Sequence, residues 1–70
     1  MGGIIEDRIF QVLGRNRLDG SEIAERLRSI GCKRKYGTIA HHLRKMAYLQ
    51  QLSREKVGGE YEYWNRCREN

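Results

Sequence analysis

The chain is short of most features that would announce a catalyst or a membrane protein. Its longest apolar run, Met46 to Leu49, is four residues, against the ~20 that a membrane-spanning helix needs. The first residues, Met1 to Glu6, lack the basic start of a secretory signal and the Ser or Thr that a myristoylation signal carries at its sixth position. A cytoplasmic protein without membrane contact is the expectation. Two cysteines, Cys32 and Cys67, are too few for a disulfide framework and lack metal-finger spacing, so both read as free thiols. There is no Gly-rich phosphate loop, nucleophile elbow or acid pair, and at 70 residues a substrate-sized pocket would remove much of the core. The chain is therefore expected to form one domain with no enzymatic activity, cofactor or small-molecule ligand.

Acid is also missing, locally. The chain carries 14 Lys and Arg against 9 Asp and Glu, a formal net charge of +5, but the excess is concentrated. Residues 1–25 sum to −2 and residues 46–70 to zero, whereas residues 26–45 hold Arg26, Arg28, Lys33, Arg34, Lys35, Arg44 and Lys45 with no acid among them. A solvated surface usually mixes signs. This stretch reads as a single basic element facing phosphate.

Three helical stripes precede a hairpin. Ile5, Ile9, Val12 and Leu13 recur at helical spacing over roughly residues 4–15, with Glu6 and Asp7 in the first turn opposing the helix dipole. Ile23, Leu27 and Ile30 mark a second helix over 20–30, which Asp19 can cap and Gly31 can stop in the left-handed conformation. Tyr36, Ile39, Leu43 and Met46 mark a third over 36–48. Gly58 and Gly59 then separate two strand-like runs as a two-residue hairpin turn, giving a hairpin over 52–64 in which Lys56 lies opposite Tyr61 and Arg54 opposite Tyr63. Both pairs are compatible with cation–π contact. Trp64, the one large aromatic near the end of the hairpin, is expected in the core.

That order, two helices, a short turn, a basic helix and a hairpin, is the plan of a three-helix winged helix-turn-helix, mainly α with a small β-hairpin. Three apolar stripes close a minimal core and leave the outer face of the third helix free to enter the major groove of DNA. At ~100° per residue, the side opposite Ile39, Leu43 and Met46 is centred on His41, flanked by Gly37, Arg44, Lys45 and Tyr48, with Thr38 at its edge and His42 nearer the core. Double-stranded DNA is thus the expected partner. His41 is the candidate base contact, and Lys33, Arg34, Lys35, Arg44, Lys45, Arg54 and Lys56 are the candidate cations.

Residues 31–46, GCKRKYGTIAHHLRKM, resemble the winged-helix transcription regulators, the PadR-like branch most closely, in which a glycine closing the second helix precedes a Gly-Thr pair opening the recognition helix. The stretch Ile23 to Leu27 also resembles the second helix of these regulators. Ala40 and His41 stand where the branch usually has an aromatic and a proline, and Gln50 and Gln51 where it customarily has Gly-Leu. The resemblance implies a dimeric, DNA-binding transcriptional repressor. Two copies on a pseudo-palindrome would extend a short contact, and Phe10 and Ile4, about 120° from a core line through Ile5, Ile9 and Val12, are the expected homodimer surface. Two alternatives share the fold. One is a protein–protein interaction module without DNA binding; the other is a reader of left-handed DNA, for which Tyr48 and Trp64 would supply the helix and wing aromatics.

Overall fold

The computed structural model describes residues 3–66, with side chains described from Ile5 onward. Helix α1 spans Gly3–Leu13, strand β1 Leu18–Asp19, helix α2 Gly20–Ser29, helix α3 Tyr36–Tyr48, and strands β2 and β3 Leu52–Val57 and Glu60–Asn65. The three strands form one antiparallel sheet in the order β1-β3-β2. The third helix and the hairpin lie where the sequence pattern puts them. The two-residue strand β1 is an addition, with Leu18 paired to Tyr63 and Asp19 to Glu62.

The stripes bury the sides expected of them except for a rotation on α1 and two end positions: Ile30, the C-cap of α2, and Tyr36, the first residue of α3, were expected in the buried stripes but are 40% and 52% exposed, because at the helix ends they lie beyond the reach of the core. Ile9, Leu13, Ile23, Leu27, Ile39, Leu43, Met46 and Leu52 are fully buried, and Ile5, Leu18, Ala24 and Tyr63 complete the core. Burying a Leu, Ile or Met side chain contributes ~1.5–3 kcal/mol relative to exposure, and no polar or charged residue is buried among those described. On α1 the buried line runs through Ile5, Ile9 and Leu13, and Val12 is only partly buried. This corrects the expected line through Val12. The rotation carries the core toward Phe10, which packs against the cluster as a partly buried residue.

Local chemistry sets the element ends. Asp19, extended at φ −79° and ψ 171°, accepts a hydrogen bond on its side chain from the Glu22 amide at 2.8 Å and so caps α2. Helices α2 and α3 then end in the same pair of bonds. Gly31 donates to Arg28 O and Cys32 to Leu27 O; Gln50 donates to Ala47 O and Gln51 to Met46 O. Both are Schellman motifs, whose pivotal residue is left-handed. At α2 that residue is Gly31, at φ 88°, whereas at α3 it is Gln50, at φ 63°. Gly58 and Gly59, at φ 59° and 89°, make the two-residue hairpin turn.

The hairpin register is the expected one, with Arg54 opposite Tyr63 and Lys56 opposite Tyr61. Because side chains alternate along a strand, buried Leu52 shares its face with Arg54, Lys56, Tyr61 and Tyr63, while Ser53, Glu55, Glu62 and Trp64 share the other. Tyr63, 6% exposed, is therefore the aromatic that closes the core. Trp64 is only partly buried, a correction that follows from strand parity.

Candidate nucleic-acid interface

The buried line of α3 fixes what its opposite side presents. His41, Arg44, Lys45 and Tyr48 are exposed, Tyr48 by 85%, as is Gly37, with Thr38 half-buried at the margin. His42 turns inward as its position predicts: it is half-buried, and its Nδ1 lies 3.6 Å from Glu6 Oε2 of α1. The rings of His41 and His42 meet edge to face, with centroids 5.8 Å apart, the first exposed and the second half-buried. Lys33, Arg34 and Lys35, all exposed, form the connection that enters α3. Lys35 occupies the N-cap position without a side-chain capping bond, and the first turn of the helix contains no acid. The positive end of the helix dipole thus adds to three cations.

The basic block is not one surface, however. Arg26 lies 4.0 Å from Glu22 on its own helix and borders a shallow groove with Gln11 and Val12 of α1. It faces α1 and stands apart from the cations that lead into α3. A charge count along the chain carries no such direction, because residues of one helix diverge by ~100° per position.

Between α3 and the hairpin runs a groove of about 330 Å³. Gly20, Tyr36, Ala40, Leu43 and Arg44 form its helical wall, and Arg54, Gly59, Glu60, Tyr61 and Tyr63 its strand wall. Arg44 and Arg54 are thus brought to one cleft from different elements. The guanidinium of Arg54 stacks over Tyr61, 4.3 Å from the ring centroid. Arg54 was expected against Tyr63, directly opposite; the contact is to the diagonal neighbour, within reach of so long a side chain. Tyr36 leans over the start of α2, where a Cβ on Gly20 would come within 3.0 Å of its hydroxyl. Lys56 is exposed further along the same strand face.

On the other face of the hairpin, Arg17 is a residue that sequence reasoning missed. It donates from Nε to Glu62 at 2.9 Å, pairs with Glu55, and stacks 4.2 Å from the centroid of Trp64. Glu55 and Glu62 are directly opposed across the strands, a like-charge pair that would repel without a cation between them. The hydrogen bond to Glu55 raises the Arg17 pKa above the ordinary arginine value; desolvation opposes the shift and Glu62 adds to it. The available signal was the hairpin register, which places the two acids together.

Of the remaining candidates, Phe10 is partly spent on the core, and the side chain of Ile4 lies outside the described residues. Cys32 is half-buried against the core, and Cys67 lies outside the described residues. Among the described residues no group of three or more His, Cys, Asp or Glu is placed to hold a metal ion, and no helix is long and apolar enough to cross a membrane. No family model, curated protein or solved structure matches this chain.

Proposed function

We propose that the chain is a winged helix-turn-helix that binds double-stranded DNA and regulates transcription, with α3 in the major groove and the β2–β3 hairpin as the wing. The observation that carries this reading is the sidedness of α3. One face is buried through Ile39, Leu43 and Met46, and the other presents His41, Arg44, Lys45 and Tyr48 directly after Lys33, Arg34 and Lys35. A helix is about as wide as the major groove, so such a face can bring side chains to base edges while flanking cations hold phosphates. In this reading His41, at its centre, makes the base contact. Arg54 and Lys56 extend the cationic surface onto the wing.

The test is the salt dependence of binding to labelled duplex DNA. If Lys33, Arg34, Lys35, Arg44 and Lys45 each neutralise a phosphate, log K falls against log salt with a slope of about −4.5. A slope near −1 would refute groove docking. The second reading, a protein–protein module, draws support from the hairpin face where Arg17 is held by Glu55 and Glu62 and is withdrawn from phosphate. Undetectable DNA affinity at moderate salt would favour it. A homodimer on a pseudo-palindrome remains part of the proposal, and sedimentation of the protein at tens of micromolar tests it, with Phe10 beside the axis.

A further inference from the structure

The cleft between α3 and the hairpin has a composition that phosphate binding alone does not call for. Its floor is apolar, from buried Leu43 and Tyr63, and its two walls carry Tyr36 and Tyr61. Both of these rings are substantially exposed, Tyr36 by 52% and Tyr61 by 39%. Hydrogen-bonding groups border it, with Arg44 on one wall and Arg54 on the other. A planar, apolar-faced group with polar edges and an attached anion is what this set complements: aromatic surface for the faces, guanidinium donors for the edges, and two cations for the anion. A paired base cannot reach it, because its faces are already stacked within the duplex.

We propose that this groove accepts the base of an unpaired nucleotide, with its phosphate between Arg44 and Arg54, so that the protein prefers DNA containing an unpaired position over intact duplex. The inference rests on the reading of α3 and the hairpin as a DNA-binding surface. Tyr61 is the stacking platform. Arg54 lies over its ring at 4.3 Å, so the entering base takes the ring as the guanidinium turns to the phosphate.

The test compares, by fluorescence anisotropy, a fully paired duplex with the same duplex carrying one unpaired thymidine at its centre. Stacking of one base on an aromatic side chain predicts ~5- to 140-fold tighter binding of the second. Tyr61→Ala is expected to abolish that preference, weakening the paired duplex only by what the loss of support under Arg54 costs and so far less than the unpaired one, and Tyr61→Phe to retain it. Tyr61 is exposed on the hairpin, so the fold tolerates both changes, and circular dichroism checks this. Free thymidine monophosphate is expected to erode the preference at high concentration without displacing the paired duplex.

Equal affinity for the two duplexes, or a preference that survives Tyr61→Ala, overturns the proposal and leaves the DNA-binding reading intact. Saturable binding of the free nucleotide without any preference for the unpaired duplex also overturns it, in favour of a small-molecule site. Failure to bind either duplex removes the DNA-binding reading and this inference with it.

Discussion

Gln50 stands in a conformation that the end of α2 assigns to glycine, and this offers a direct test of how the helix ends are built. Both helices close with the same two backbone bonds, but the left-handed residue is Gly31 in one and Gln50 in the other. A side chain in the left-handed region costs ~1–2 kcal/mol through the approach of Cβ to the following carbonyl oxygen. Glycine removes that cost but adds ~0.5–1 kcal/mol of chain entropy to be lost on folding. Gln50→Gly should therefore stabilise the fold by about 0.5–1 kcal/mol, and at ~4–8 °C per kcal/mol for a domain of this size Tm should rise by roughly 2–8 °C. Gly31→Gln should lower it by a comparable amount. Thermal melts followed by circular dichroism at 222 nm measure both. A Tm for Gln50→Gly that is unchanged or lower would refute the reasoning, by showing that the Gln50 side chain recovers locally what its backbone loses.

Strand parity makes Tyr63, not Trp64, the aromatic on which the core depends. Tyr63→Ala should cost ~3–5 kcal/mol, enough to unfold much of so small a domain, and Trp64→Ala distinctly less; urea titration ranks the two, and the reverse order would contradict the observed packing. Arg17→Ala should lower Tm, and the loss should shrink when Glu62 is already Gln, because the repulsion that Arg17 relieves is then gone. A double-mutant cycle reads that coupling, and additive losses would show that Arg17 acts only through its stacking on Trp64. On the DNA side, His41→Ala should reduce discrimination between a selected site and random duplex, whereas Lys33→Ala should weaken both alike. Equal losses on both DNAs for His41→Ala would reduce it to a backbone contact.

What could be read in advance was whatever local chemistry determines. Gly31 and the tyrosine and apolar positions at 36, 39, 43 and 46 set the bounds of α3, and the Gly58-Gly59 turn fixed the hairpin register. The errors were of two kinds. Some needed one more step of the same logic: taking Leu52 as inward-facing makes Tyr63 inward by register, and a fully helical drift of 40° between positions four apart leads from Ile5 through Ile9 to Leu13 rather than to Val12. Others were beyond any local pattern. Strand β1 has two residues, too few to show alternation, and exists because β3 offers Leu18 and Asp19 an edge. Arg17 is held by acids 38 and 45 positions away, and the groove between Gly20 and Tyr61 appears only once the hairpin has folded back over the helices.

The zero net charge of residues 46–70 also conceals an arrangement that matters for any phosphate ligand. In a hairpin, alternate residues face opposite ways, so equal numbers of acids and bases need not produce a neutral surface. Here Arg54 and Lys56 share the strand face that carries Tyr61 and Tyr63, the face turned toward the α3 groove, while Glu55 and Glu62 project from the reverse and are held by Arg17. Glu60, beside the turn, lines the end of the groove but has the strand parity of Glu62. An acid on the side facing α3 would oppose the cations of the helix within a Debye length of ~8 Å at physiological salt. Placed on the reverse, with one of their two charges offset by Arg17, the two glutamates oppose that field less than they would from the groove side. The same arrangement distinguishes the two faces of the hairpin chemically, one cationic and aromatic, the other a pair of glutamates bridged by one arginine beside a half-buried tryptophan.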